Sequence, residues 1–331
     1  MALPASGNSI SLQQTNVELG LTATAAINMG GSAVRGLFGV SSGAIDMSDG
    51  FGKSNAVTLS NAGNINSLAN RQQITVSDYI DAGGTLQIPS NFYVWSDAND
   101  TPAMIIDIAC TIINEGNIIG KGGQNNGTAG GPAIKINDNI SNVTITNASG
   151  AYIAGGGGGG GQGQNGMGGG GAGGGGGVYP NSGPASVTTG GGIIGAVGDT
   201  STYVSSSSGY MQFHGDGGGA GGGGGGMTWS GGSSGGGGGR ILPGAGGDGA
   251  RGNDGSGYDS YGGNGGAANN AGSDHASGNN SAGGGGGWGA AGGAGGFGSS
   301  PRAGGAAGVA IDPNSNSYTL SNSGTIYGAT S

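Results

Sequence analysis

Leu320-Ser-Asn-Ser-Gly-Thr-Ile326, close to the end of the chain, is an almost intact copy of Leu59-Ser-Asn-Ala-Gly-Asn-Ile65. Asn114-Glu-Gly-Asn-Ile118-Ile-Gly120 repeats its core, and Asn147-Ala-Ser-Gly150-Ala-Tyr-Ile153 is a looser copy with an extra residue. Asn and Gly turn a chain because they tolerate left-handed backbone, and the isoleucine that follows is placed to enter a core between stacked rungs. The four copies have no fixed spacing, and chance recurrence in an Asn/Gly-rich chain is the competing explanation. The wide gap before the last copy marks the intervening glycine region as an insertion, after which the chain returns to finish the β-structure.

Around these copies lie strand-length runs of β-branched and aromatic residues: Gly84-Thr-Leu-Gln-Ile-Pro89, Phe92-Tyr-Val-Trp95, Ala103-Met-Ile-Ile-Asp-Ile108, Thr111-Ile-Ile113, Ala133-Ile-Lys-Ile136 and Val143-Thr-Ile-Thr146. Asn, Asp and Gly separate them. The fold class expected is all-β, with a rung-like, solenoid-type region over 76–154 and a closing β-segment over 309–331.

Residues 1–75 alternate short polar and apolar pieces. Ser9-Ile-Ser-Leu12 and Ser41-Ser-Gly-Ala-Ile45 read as strands or extended arms, while Thr22-Ala-Thr-Ala-Ala-Ile27 and Ser32-Ala-Val-Arg-Gly-Leu37 have room for a helical turn. No run has the length and apolar stripe of an ordinary globular helix. The expectation is an extended attachment module with little core of its own.

Glycine is placed unevenly. Of 91 glycines in 331 residues, 20 lie in 1–150 and 71 in the remaining 181. Tracts occupy 155–161, 168–177, 217–226, 235–239 and 283–287, with Ala172 and Ala220 as single interruptions. Composition alone reads as flexible linker. A phosphate loop is excluded, because no tract ends in Lys followed by Ser or Thr. The third reading packs the tracts side by side as three-residue-per-turn polyglycine II helices, which glycine permits because no side chain holds the backbones apart. Tracts of comparable length, alternating with segments that carry aromatic residues, favour the packed bundle over 155–308.

In that bundle the interrupting segments become apical loops. Val204 to Phe213, Met227-Thr-Trp-Ser230 and Asp254 to Tyr261 mix aromatics with small hydrogen-bonding residues, a binding-loop composition. The candidate receptor contacts are Tyr203, Tyr210, Phe213, Trp229, Tyr258, Tyr261 and Trp288. The competing role, plugging the end of a core that glycine cannot fill, weighs equally for Trp229 and Trp288.

Charge and motif content exclude several classes. The net charge is −9, from 17 acidic and 8 basic residues, and the late arginines Arg240, Arg251 and Arg302 are isolated. A phosphate-contacting surface needs clustered cations, so nucleic acid is not an expected partner. Cys110 is the lone cysteine, set in an apolar run, and reads as a small buried residue. No stretch is apolar for the 18–20 residues a membrane span requires, and Met1-Ala-Leu-Pro-Ala-Ser-Gly has no signal-peptide character, so synthesis in a cytoplasm is expected. His214 with Asp216, and Asp274 with His275, lack a nucleophile or third ligand in sequence. Asp248, Asp254, Asp259 and Asp274 do not have calcium-loop spacing. No catalytic residue, metal or cofactor is expected.

Two stretches carry a resemblance. Gly36-Leu-Phe-Gly-Val-Ser-Ser-Gly-Ala-Ile-Asp-Met-Ser-Asp-Gly-Phe-Gly-Lys-Ser54, preceded by Ser9 to Leu19, resembles the N-terminal segment of many tailed-phage tail, tip and fibre proteins. Asn114-Glu-Gly-Asn-Ile-Ile-Gly-Lys-Gly-Gly123 is similar to the strand-turn leading into their glycine-rich regions. The middle of the chain is similar in kind to the distal adhesins of T-even-like phages. The resemblance implies a virion adhesin at a tail or tail-fibre tip, held by other tail or fibre proteins through its N-terminal region and recognising a protein or glycan on the bacterial surface. A spacer or decoration protein of the virion, and a polyglycine ice-binding-type module, are the alternatives. A secreted adhesin would need the signal that is missing.

Overall fold

The computed structural model describes residues 3–161 apart from 7, 41, 52–54, 60–72, 91, 97–100 and 125–126, then 261–331 apart from 275–281 and 297–301, with six short strand segments between the two stretches. The described chain is strand-rich with few helices.

The strands β1 (Ala56–Thr58), β2 (Ile74–Thr75), β3 (Thr85–Ile88), β4 (Tyr93–Trp95), β5 (Met104–Ile106), β6 (Cys110–Asn114), β7 (Asn117–Ile119), β8 (Ile134–Ile136), β9 (Val143–Asn147) and β10 (Tyr152–Ala154) come first. Six segments follow as three antiparallel pairs: β11 (Gly177–Val178) with β12 (Ser186–Val187), β13 (Val204–Ser205) with β14 (Met211–Gln212), and β15 (Arg251–Asn253) with β16 (Asp259–Tyr261). The last three strands are β17 (Ile311–Asp312), β18 (Tyr318–Asn322) and β19 (Thr325–Tyr327).

Outside the three pairs, every strand pairing is parallel, and three sheets result. The first runs β1-β3-β6-β9-β18, the second β4-β7-β10-β19 and the third β2-β5-β8-β17. The chain visits the third, first and second sheet in turn, four times over. Each circuit is a rung, and each strand stacks on its counterpart one rung earlier. Side chains alternate along a strand, so β6 and β9 both bury every second residue. Leu86, Ile112 and Ile145 form one fully buried inward column, and Val94, Ile118 and Ile153 another. Cys110 lies in this core at 2% exposure, and burial pushes its thiol to about 12, with Asp107 adding to the shift. At pH 8 the native protein should therefore resist maleimide, and unfolding should release stoichiometric labelling; fast labelling of folded protein would contradict the burial.

The sequence copies have a physical cause. Asn114, Asn147 and Asn322 stand opposite one another in successive rungs, and their amides form a ladder. Asn114 Nδ2 donates to Asn147 Oδ1 at 2.8 Å, and Asn147 Nδ2 to Asn322 Oδ1 at 2.9 Å. The isoleucines after the turn, Ile118, Ile153 and Ile326, also stack in register. Two details differ from the sequence reading. Asn147 to Ile153 spans six positions where Asn114 to Ile118 spans four, so that copy carries two extra residues, and Gly150 absorbs the longer turn at φ +84°. The first copy is out of register: β1 places Thr58 opposite Gln87, so Leu59, not Asn61, follows into the position beside Ile88. Ile88 and a buried Leu59 end the ladder with apolar packing. Asn147→Ala removes the middle amide and leaves both neighbours without it. A loss of about 1–3 kcal/mol is expected in urea unfolding, from the buried Asn114 amide left short of one acceptor, while the exposed Asn322 can bond water instead.

The N-terminal stretch departs from the extended arm expected of it. Helix α1 (Leu12–Glu18) and helix α2 (Ser32–Phe38) pack with Leu3, Leu19, Val34, Leu37 and Phe38 into a cluster separate from the rungs. Ser9–Leu12 is not a strand. Ser11 is the N-cap of α1, its hydroxyl accepting from Gln14 N–H while the Gln14 side chain accepts from Ser11 N–H. Thr22–Ile27 holds only a turn, closed by Ala25 N–H to Thr22, and residues 42–45 form no strand. The unit meets the first rung closely. Asn55 N–H donates to Glu18 Oε1 at 3.1 Å, and the backbones of Gly20 and Gly83, both at positive φ, approach so nearly that a Cβ on either would strike the other segment.

Candidate receptor-binding face

After β7 and again after β10 the chain leaves the corner between the second and third sheets, and each excursion builds glycine structure. Residues 120–133 form the smaller one and 155–310 the larger. The returning strands β17, β18 and β19 pair in parallel with β8, β9 and β10, so the glycine region is an insertion between the third and fourth rungs.

Residues 155–161 run through the middle of this structure without belonging to a sheet. Their carbonyls divide among three neighbours with a period of three. Gly155, Gly158 and Gly161 accept from the N–H groups of Gly289, Gly286 and Gly283. Gly156 and Gly159 accept from Gly308 and Gly305, and Gly157 and Gly160 from Gly123 and Gly127. These bonds measure 2.7–3.0 Å. A Cβ on Gly155, Gly156, Gly158, Gly159 or Gly160 would land on a backbone carbonyl oxygen of the neighbouring segment. Glycine is required here for approach, and the buried N–H and C=O groups find partners across segments instead of within one.

Two further segments repeat one another. Residues 262–274 and 282–294 each run out, turn and return. The N–H groups of Gly263, Gly266, Asn269 and Gly272 donate to the carbonyls of Ala282, Gly285, Trp288 and Ala291, again every third residue. The turns are closed by Asn270 N–H to Ala267 and Ala290 N–H to Gly287, with Asn269 at φ 61° and Gly289 at φ 66°.

These segments share a polarity. One end lies on the rungs: Gly155 N–H donates to Tyr327 of β19, and a Cβ on Gly289 would strike the backbone of Gly328. The other end is remote from them. There Gly161 bonds to Gly283 and Gly293, Gly262 bridges Ala282, and Gly295 and Arg302 exchange N–H···O bonds at 2.9 Å. Asp274 Oδ1 accepts from Ala294 N–H at 2.7 Å at the same end. The connections 125–126, 162–261, 275–281 and 297–301 all start and finish there, whereas both connections on the rung side are tight turns.

The sequence candidates divide accordingly. Tyr203, Tyr210, Phe213, Trp229 and Tyr258 lie outside the described residues, as do His214, His275, Asp248 and Asp254 and the tracts 217–226 and 235–239. All of these except His275 fall in the connection that leaves Gly161 and returns at Gly262. Tyr261 is placed by its backbone as the last residue of β16. Trp288 is the correction. It sits at the rung-side turn, fully buried against Tyr93, Trp95, Ile119 and Ala154 on the outer face of the second sheet, with Ala268 and Tyr327 beside it. Its ring meets Tyr327 at 6.0 Å between centroids, tilted by 53°, and Tyr327 in turn stacks on Tyr152 at 6.1 Å. Burial, then the neighbouring Tyr152, raise the hydroxyls of Tyr93 and Tyr327 above the ordinary range. An indole in that position seats the glycine structure on the rungs and has no surface to offer a receptor.

No group of three or more His, Cys, Asp or Glu is arranged for a metal ion among the described residues. An open depression lined by Ser32, Arg35, Gly36, Gly39 and Val40 contains one cation, but that guanidinium is committed to the carbonyls of Gly30, Val40 and Gly43. No helix among the described residues is long and apolar enough to cross a membrane.

Comparison with known proteins gives two findings. The family model described as Phage tail fibre adhesin Gp38 matches residues 54–225, more than half of the chain. Among solved structures, a chain of the crystal structure of the gp37-gp38 adhesin tip complex of the bacteriophage S16 long tail fiber aligns over 96% of this chain and 96% of its own length, at 18% identity and a TM-score of 0.40. No curated protein matches.

Proposed function

The chain belongs to the phage tail fibre adhesin Gp38 family, and from that premise we propose that it is the receptor-binding tip of a tail fibre, docking onto a protein or glycan of the bacterial surface. The observation that carries this reading is the polarity of the glycine segments: their long connections depart from the end remote from the rungs, where a host surface has access. Tyr203, Tyr210, Phe213, Trp229, Tyr258 and Tyr261 are the receptor contacts in this reading, carried by the connection between Gly161 and Gly262. Aromatic anchors among small polar residues suit such a contact because they bring large area at low entropic cost.

The scaffold follows. The rungs form a β-solenoid, and the glycine segments are a bundle of polyglycine II helices, a reading supported by the period of three in their hydrogen bonds. The helical unit before residue 54, which precedes the family match, joins the adhesin to its fibre. Binding is the whole activity, with no catalytic step and no cofactor. The working location is the virion.

Purified protein, or an antibody against residues 178–282, should block adsorption of the phage that carries it. Normal adsorption in the presence of either would overturn the receptor-binding claim. Phage with the 203–213 segment deleted yet adsorbing normally would support a spacer role in its place.

A further inference from the structure

We infer that the fourth rung is a docking edge that takes one extended strand from a neighbouring protein of the fibre tip. This rests on the tail-fibre reading above and adds a second contact, apart from the N-terminal unit. The inward columns that are sealed in the third rung are open in the fourth. Val143, Ile145 and Ile153 are 2%, 0% and 0% exposed, while Tyr318, Leu320 and Ile326, their partners in register, are only half-buried. The tail covers part of this end. Ala329 O accepts from Ala310 and Ile311 at the edge of the third sheet, and Tyr318 Oη donates to Thr330 O at 2.7 Å. Beside β18, no strand pairs on the outer side among the described residues. A five-residue parallel edge without Pro, Lys or a bulge presents unpaired backbone groups, and a second strand satisfies them.

The chemistry of the occupant is set by the rungs below. Cys110 to Asn114, Val143 to Asn147 and Tyr318 to Asn322 share one pattern: a non-polar or aromatic residue inward at the first and third positions and Asn at the fifth. The ladder ends at the exposed Asn322, whose Oδ1 is taken by Asn147, so that continuing the same amide pattern assigns its Nδ2 to the next position. A partner strand of the form apolar-x-apolar-x-Asn continues both core and ladder.

The test compares hydrogen exchange in the free full-length adhesin and in the adhesin bound to tail fibres purified from its own phage. Amides of 318–327 should exchange at least about tenfold more slowly in the complex. Asn322→Asp keeps the acceptor for Asn147 and removes only the outward donor. It should leave the melting temperature unchanged and cut that protection several-fold. Protection confined to residues 12–38 would overturn the docking edge while leaving fibre attachment intact. Protection of 318–327 in free protein that rises with its concentration would assign the edge to a second copy, also overturning it. Failure to bind fibres at all would remove the fibre-tip reading itself.

Discussion

Trp288→Ala should destabilise the protein by about 3–5 kcal/mol, the range for emptying a large aromatic site in a packed core. The expectation follows from where the side chain sits. The turn that carries it belongs to the glycine structure, but the indole is fully buried against Tyr93, Trp95, Ile119 and Ala154 of the rungs. Glycine segments have no side chains with which to hold a sheet, so this one residue supplies much of the apolar contact between the two parts. The indole Nε1 makes no hydrogen bond, so Trp288→Phe forfeits packing but no polar partner, and its loss should stay below about 2 kcal/mol. Urea unfolding decides the matter. An alanine variant within about 1 kcal/mol of the parent, with adsorption reduced, would restore Trp288 to the receptor contacts.

The rungs were legible in the sequence because side chains encode them. The runs from Thr85 to Asn147 alternate inward and outward residues, and the Asn-to-Ile copies mark a corner whose amides must stack to be satisfied. What the copies did not carry was register. Leu59 and Leu320 look equivalent, yet pairing sets Val57, two residues earlier, in the column that Leu320 occupies. Helix α1 escaped notice for another reason. Seven residues give two turns, too few for an apolar period, and the usable signal was local: Ser11 followed three residues later by Gln14, the pattern of a reciprocal cap.

The candidate face was legible in outline only. That glycine tracts alternate with aromatic segments is visible in composition, but which end of a tract meets the rungs is a long-range fact. Trp288 directly follows a glycine tract in an aromatic-poor region, and nothing local separates a loop tip from a seat. The distinction comes from Tyr93, Trp95 and Ile119, some 170 to 195 residues earlier, which offer Trp288 an apolar face. Glycine also erases its own register information, since every position of a tract is chemically alike. Only the hydrogen-bond partners, Gly289, Gly286 and Gly283 against Gly155, Gly158 and Gly161, define how the segments slide together.

Alanine at Gly156 or Gly159 is therefore expected to cost more than about 3 kcal/mol, at or beyond the upper range for overpacking a core. A Cβ at Gly156 falls on the Lys121 carbonyl, and one at Gly159 on that of Gln124. Neither obstacle is a flexible side chain that can swing aside. Separating the backbones also strains the bonds that each glycine makes, from Gly156 N–H to Gly131 and from Gly308 N–H to Gly156 for the first. Gly158, on another side of the same segment and facing Gly305, should be as intolerant, because the middle of the structure has no outward side. Gly30 is the control: a methyl there would have Asn28 Oδ1, 3.6 Å away, as its nearest neighbour, so alanine should change stability by no more than about 0.5 kcal/mol. The measurement discriminates by sign as well as size. In a flexible linker, alanine for glycine is neutral or stabilises by about 0.4–1 kcal/mol, because it restricts the unfolded chain. Chemical denaturation of the three tract variants that gave that outcome would remove the packed bundle, and with it the platform that holds the connections at one end.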